Sequence, residues 1–114
     1  MKTFKNLAAQ GDLVIRRINA LPEGLIRVAA ENGQLICAHS ETMHNHCVAE
    51  RPGVELYQDA MDTLRGFLVV RDEAVSLEHH RSFDTHESLK IEPGIYELRR
   101  QREYTPEGFR RAAD

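Results

Sequence analysis

The sequence has few of the residues that build aromatic cores or disulfide frameworks. It contains no tryptophan, and aromatic residues make up 6% of its 114 residues. Two cysteines, Cys37 and Cys47, are too few for the disulfide framework of a small secreted domain, so we expect free thiols. No apolar run approaches the ~20 residues that span a bilayer, and the first residues lack the apolar stretch of a signal peptide. These absences predict a cytoplasmic protein without a membrane partner.

Charge is distributed unevenly along the chain. The net charge is −3, and 41% of the residues are hydrophobic, which is an ordinary proportion for a globular protein. Most acidic residues lie in the middle of the chain, and both flanking segments are basic. An acidic surround attracts cations and disfavours phosphate backbones. The length of the chain fits one β-rich domain, residues 1–114. The charge pattern predicts that this domain binds a small molecule or a metal ion and not nucleic acid.

Short apolar runs separated by turn residues predict an all-β fold. Roughly eight or nine strands, with turns about every 8–12 residues, are typical of a small antiparallel barrel or sandwich. Asn32-Gly33 is the clearest hairpin turn, and Pro93-Gly94 is a second turn. Residues 3–9 predict a short N-terminal helical segment, and residues 58–65 predict a helical turn between strands. Exposed strand edges in so small a domain favour a homodimer.

The last two strands predict a hairpin around Pro93-Gly94. Its cross-strand pairs would be Ile91 with Tyr96, Leu89 with Leu98, and Lys90 with Glu97. Two apolar pairs on one face and an opposite-charge pair on the other are the pattern of a sheet with one buried face.

The six histidines lie between residues 39 and 86, in two runs. In the first run, a hairpin around residues 41–44 would pair His39 with His46 and place both on one face, with His44 at its rim. In the second run, strand parity separates His79 from His80, and Leu77 favours His79 as the inward residue. The sequence does not show whether the two runs are neighbours in the fold.

Converging imidazoles predict a metal site, because neutral imidazole nitrogen binds transition metals. The cofactor would be a divalent transition metal such as Zn, Fe, Ni or Mn. The predicted ligands are His39, His44, His46, His79 and His86, with Glu50 as a carboxylate ligand.

Other interpretations stay open. The histidines could form a metal-free acid–base pocket, or be solvated or structural residues. The sequence contains no helical His-Glu-x-x-His and no Cys-x-x-Cys. Neither Ser40 nor Ser82 lies in a nucleophile elbow. The run Arg99 to Arg102 could contact phosphates, but salt bridges to the acidic middle region are the favoured interpretation.

Two resemblances support a histidine site. The run from His44 to Glu50 resembles the His-x-His-x₃-Glu core of the first cupin motif, although Ala38 stands where that motif has glycine. The resemblance implies a metal held inside a small β-barrel. The phrases AHSETMHNH, LEHHRSFDTHE and GIYELRRQREYTPEGFRR resemble an uncharacterised family of small histidine-rich bacterial and phage proteins, in which glycine usually replaces Met43.

The sequence thus predicts a small β protein with a histidine-lined metal-binding or acid–base pocket, and it does not identify a reaction. The alternative is a non-catalytic phage or mobile-element accessory or structural module, whose histidines form a polar pocket or an interface.

Overall fold

The computed structural model describes residues 1–39, 45–79 and 88–100, together with the backbone of two strands in 102–111. These parts of the chain form strands and no helix. The strands are β1 (Leu7–Gln10), β2 (Leu13–Ile18), β3 (Leu25–Val28), β4 (Gln34–Ala38), β5 (His46–Ala49), β6 (Val54–Asp59), β7 (Arg65–Val70), β8 (Val75–His79), β9 (Leu89–Ile91), β10 (Gly94–Arg100), β11 (Arg102–Thr105) and β12 (Gly108–Arg111).

The strands form two main antiparallel sheets. The large sheet has the strand order β1-β2-β10-β7-β6-β3, and the small sheet has the order β4-β5-β8-β9. β11 and β12 pair with each other. Apolar side chains of both sheets join one buried core, with Ile15 and Leu68 from the large sheet and Leu35 and Leu77 from the small sheet. Two open sheets packed on one core make a sandwich-like fold, and the described strands do not close into a barrel.

The helix predictions were wrong. Residues 7–10 form β1, in which Ala8 and Gln10 are buried and Leu7 and Ala9 are exposed, the alternation of a half-buried strand. Residues 60–64 form a turn rather than a helix. There the carboxylates of Asp59 and Asp62 accept hydrogen bonds from the backbone amides of Met61 and Leu64, and such side-chain bonds compete with helix formation.

The predicted final hairpin was also wrong. β9 pairs with β8 in the small sheet, whereas β10 pairs with β2 and β7 in the large sheet. The chain therefore crosses between sheets at Pro93, and the Tyr96 hydroxyl donates a 2.7 Å hydrogen bond to the Glu92 carbonyl at this corner. Leu89 and Tyr96 are buried in both arrangements, so the apolar pattern alone does not distinguish a hairpin from a crossing.

The Asn32-Gly33 turn is confirmed. Both residues have positive φ, 51° and 77°, as a two-residue type I′ turn requires. Glu31 and Gln34 exchange both backbone hydrogen bonds around this turn. β3 and β4 nevertheless belong to different sheets, so the turn also moves the chain from one sheet to the other.

The outer face of the large sheet carries an ion-pair network. Glu97 of β10 is 7% exposed, and it accepts hydrogen bonds from Arg65 at 2.6 Å and from Arg16 at 3.0 Å. Burial raises the pKa of Glu97, but the two guanidinium groups more than offset it, so its pKa lies below the usual glutamate value.

Candidate histidine site

The structure brings the two histidine runs together. β5 and β8 are neighbours, and His46 lies directly opposite His79. The two imidazole rings stack with their centroids 3.8 Å apart and their planes 13° from parallel. Both side chains face the core, where His46 is 1% exposed and His79 is 2% exposed. The adjacency that a shared site requires is therefore present for these two residues.

Hydrogen bonds engage both ring nitrogens of His46. Nδ1 lies 2.9 Å from Gln10 Oε1, and Nε2 lies 3.2 Å from Asp12 Oδ1. The Gln10 amide nitrogen donates to the Leu77 carbonyl at 2.9 Å, which fixes the amide oxygen toward the ring. With Asp12 ionised, both atoms facing the imidazole are acceptors, and both ring nitrogens then donate, which is the hydrogen-bond pattern of an imidazolium. A carboxylate at 3.2 Å balances that charge in the buried site.

The tip of the β1–β2 hairpin covers the stacked rings. Gln10, Gly11 and Asp12 are consecutive, and Gly11 has φ +60°, as the first residue of a type II′ turn does. A Cβ at Gly11 would lie 3.0 Å from His79 Cε1 and 3.3 Å from His46 Cε1. Glycine is therefore required here both for its backbone conformation and for the space beside the rings.

Arg100 extends the network to a cavity. Its Nε and Nη2 atoms donate to Asp12 Oδ2 at 3.3 Å and 3.1 Å, and its side chain is 19% exposed. The cavity has a volume of about 180 Å³ and lies at one end of the sandwich. Apolar side chains including Leu13, Val28, Leu56 and Leu98 line it, and Arg100, Gln58 and His39 are among its polar residues. The order of contacts is thus Gln10, His46, Asp12, Arg100 and then the cavity.

His39 does not join His46, and the predicted pairing of these two residues was wrong. Ala38 lies opposite His46, because an extra residue, Cys37, interrupts the register between β4 and β5. Such a bulge shifts the following side chain to another direction. The His39 side chain is 63% exposed, and its Nε2 lies 3.5 Å from the Glu31 carboxylate.

Glu50 lies at the other end of β5. It follows His46 by four positions, which corresponds to roughly 13 Å along a strand. Glu50 is exposed and lines a second cavity with Arg27 and Arg51. The described geometry thus does not bring the glutamate of the cupin-like motif to the stacked histidines.

The remaining predicted ligands, His44 and His86, lie outside the described residues, as does His80. Within the ranges that the structure describes, no group of three or more His, Cys, Asp or Glu residues is arranged to hold a metal ion. The metal site therefore stays a prediction.

The thiols of the two cysteines have raised pKa values. Burial, and then the neighbouring Cys47, raises the pKa of the Cys37 thiol to about 12. Burial, and then Glu78, raises the pKa of Cys47. Both are free thiols, as predicted. Because the thiolate is the reactive form, we expect both thiols to react slowly at neutral pH.

Sequence reasoning missed Gln10, Asp12 and Arg100. The signal for the first two was Gly11-Asp12 between two apolar runs, a turn that would have indicated a hairpin instead of a helix end. Arg100 was interpreted as one of a group of surface cations, and Arg99 does lie 3.6 Å from Asp62 in the acidic middle region. Strand parity separates Arg99 from Arg100, whose partner is Asp12.

Comparison with known proteins identifies a family whose function is unknown. Residues 9–101 match the family model described as a domain of unknown function, DUF8820. The match covers most of the chain, so the chain belongs to this family. No curated protein and no solved structure matches it. In the described ranges, no helix is long and apolar enough to cross a membrane.

Proposed function

We propose that this member of the DUF8820 family is a small-molecule-binding module whose working element is a metal-free, histidine-centred polar pocket. The observation that carries the proposal is the engagement of both His46 nitrogens by acceptors, Gln10 Oε1 and Asp12 Oδ1. A metal ligand must present an unshared electron pair on nitrogen. His46 would have to lose one of these hydrogen bonds to do so, and the acceptor left behind would be buried without its donor.

In this pocket, His46 holds the two sheets together and orients the groups at the cavity. Its own strand belongs to the small sheet, while Gln10 and Asp12 belong to the hairpin tip of the large sheet. Asp12 is 6% exposed and is held by His46 on one oxygen and by Arg100 on the other. Arg100 is the member of this network that lines the cavity. His46 is therefore a positioning residue, and Arg100 is the group that meets a ligand.

The protonation state of His46 tests the proposal directly. Nitrogen-15 NMR of the side chains at neutral pH distinguishes an imidazolium from the two neutral tautomers. We expect His46 to be protonated on both nitrogens and His39, which is exposed, to serve as the internal comparison. The variant Asp12→Asn should remove the imidazolium signal of His46 and leave the His39 signal unchanged. A neutral His46 in the wild-type protein would contradict the proposal.

A transition-metal site is the second candidate, and one observation favours it. The sequence did not show whether the two histidine runs are neighbours, and in the structure His46 of the first run lies directly opposite His79 of the second. Imidazole electron pairs lie in the ring plane, so two nearly parallel rings 3.8 Å apart do not aim at one ion until a ring turns. A metal-bound form would therefore require a rearrangement around Gln10 and Asp12.

Elemental analysis of protein purified without an affinity tag separates the two candidates. The pocket proposal expects no stoichiometric transition metal, and no change in melting temperature when Zn²⁺, Ni²⁺ or Mn²⁺ is added. A stoichiometric metal that is lost in the variant His79→Gln, but kept in the exposed-site control His39→Gln, would replace the pocket proposal by the metal site. A ligand bound only by the folded state must raise the apparent stability.

The predicted homodimer and the predicted accessory role in a phage or mobile element remain proposals. Light scattering over a range of protein concentrations tests the first, and a dimer that persists on dilution would support it. The second is tested by identifying the proteins that co-purify with the chain in its own host.

A further inference from the structure

We infer that the cavity beside Arg100 binds the carboxylate of a small aliphatic acid, with the Arg100 guanidinium as the anchoring group. The inference rests on the proposed function, because it names the ligand class of the same pocket. It is carried by the hydrogen-bond pattern of Arg100, the charge of the network behind it and the apolar walls of the cavity.

The guanidinium of Arg100 is held by one edge. Asp12 accepts hydrogen bonds from Nε and Nη2 of Arg100. Among residues 1–39, 45–79 and 88–100, Asp12 is the residue whose side chain is hydrogen-bonded to this guanidinium. The outer edge, formed by Nη1 and the second N–H of Nη2, matches the two oxygens of a planar carboxylate. A buried carboxylate behind an arginine fixes the orientation of that edge before a ligand binds, which reduces the entropic cost of binding.

The group formed by His46, Asp12 and Arg100 carries one net positive charge. Asp12 lies between His46 and Arg100, so one carboxylate faces two cationic groups when His46 holds its extra proton. A proton shared between His46 and Asp12 gives the same total, because the pair is then neutral. The guanidinium charge is therefore not fully balanced by Asp12, and an anion in the cavity would balance it.

Three other cationic or amide groups of the cavity already have partners. His39 Nε2 lies 3.5 Å from the carboxylate of Glu31, which also lines the cavity. Arg65 also lines it, but its guanidinium donates to Glu97 and Asp59. The Gln58 amide donates to backbone carbonyls, including those of Asp62 and Arg65. These bonds leave Arg100 as the anchoring cation.

The walls select for an aliphatic group attached to the acid. Leu13, Val28, Leu56 and Leu98 line the cavity, whose volume is about 180 Å³. Transfer of a methylene from water to apolar surroundings strengthens binding about fourfold. A phosphate, with oxygens on every side, would place polar atoms against these walls and lose hydration without replacement.

Calorimetry or NMR titration of the wild-type protein with acetate, butyrate, hexanoate, 1-butanol and inorganic phosphate tests the inference. We expect butyrate to bind more tightly than acetate by up to about fourfold for each added methylene. We expect 1-butanol, which lacks the anion, and phosphate, which lacks the tail, to bind at least tenfold more weakly than butyrate. Absence of butyrate binding, equal binding of 1-butanol, or tighter binding of phosphate would overturn the inference.

Variants locate the bound acid. Arg100→Gln should weaken butyrate binding at least tenfold, and Arg100→Lys should weaken it less, because lysine keeps the charge and loses the planar fork. The matched control is Arg99→Gln, which removes the same charge from the opposite face of the same strand. Equal affinity of Arg100→Gln and wild type would place the acid elsewhere. The comparison of butyrate with 1-butanol uses wild-type protein, so it decides the matter even if Arg100→Gln does not fold.

The two proposals fail separately. A doubly protonated His46 without butyrate binding would refute the ligand class and leave the polar pocket standing. Butyrate binding that depends on Arg100, together with a neutral His46, would refute the proposed role of His46 and leave the carboxylate site standing.

Discussion

Replacement of Gly11 by alanine is the sharpest test of the site geometry. Gly11 combines a left-handed backbone, φ +60°, with a position 3.0 Å from His79 Cε1 for any added Cβ. The two effects have different physical origins. The first is an intrinsic backbone cost, and the second is overpacking against a ring that is 2% exposed and stacked on a second ring.

The expected loss is large for a protein of this size. A left-handed conformation costs a non-glycine residue about 1–2 kcal/mol, and overpacking a buried site typically costs about 1–3 kcal/mol. The free energy of unfolding should therefore fall by about 2–5 kcal/mol, out of a typical total of about 5–15 kcal/mol. At about 4 °C for each kcal/mol, the melting temperature should fall by about 8–20 °C.

Gly33→Ala provides the matched control. Gly33 has φ +77°, and a Cβ there would meet no atom within 4 Å, so only the backbone cost of about 1–2 kcal/mol applies. Urea denaturation of both variants isolates the contact with the rings as the difference between them, which we expect to be about 1–3 kcal/mol. Equal losses in the two variants would show that the hairpin tip does not press on the histidines, and would refute this description of the site.

Three further predictions concern the charged groups and the thiols. Asp12→Asn should lower the free energy of unfolding by about 3 kcal/mol in urea denaturation, because it breaks a buried ion pair; a loss below about 0.5 kcal/mol would contradict the network. Glu97→Gln should cost roughly 1–2 kcal/mol at pH 7. The folded-state pKa of Glu97 lies below its unfolded value of about 4.3, so its contribution is present above that pH and is lost as the pH falls further. The difference between wild type and variant in urea denaturation should therefore shrink as the pH falls below about 4.3, and a constant difference would be inconsistent with the lowered pKa. Cys37, with a pKa of about 12, should react with iodoacetamide at pH 8 more than a hundredfold slower than a free thiol, as mass spectrometry after timed quenching would show; reaction at the free-thiol rate would contradict the raised pKa.

The sequence predicted the strands better than their pairing. The sequence predicted eight or nine short strands, and the described part of the chain has ten between residues 7 and 100, β1 to β10. Alternation of buried and exposed positions carries this information locally. It does not show whether two consecutive strands pair in one sheet or lie in the two sheets on either side of the core. For this reason the hairpin predicted to pair Leu89 with Leu98 was wrong, and the chain crosses between the sheets there.

The two stacked histidines of the site could be predicted, and their polar partners could not. The periodicity of a strand selected His46 and His79 as inward residues, and both are buried. The face assigned to His39 was wrong, because a single-residue bulge at Cys37 reverses parity and leaves no mark in the hydrophobic pattern. Gln10, Asp12 and Arg100 were missed because their contacts depend on tertiary pairing. A polar residue that meets a distant partner resembles any exposed polar residue in the sequence.

The separation of the site residues along the chain has a consequence for folding. The hydrogen bonds of His46 join residues 34 and 36 positions apart, the bond from Gln10 to Leu77 joins residues 67 apart, and Arg100 meets Asp12 across 88 positions. Contacts of such long range close large loops and are slow to form. Binding competence should therefore appear only after β2, β5, β8 and β10 have all paired, so that recovery of ligand binding reports the end of folding and not its beginning.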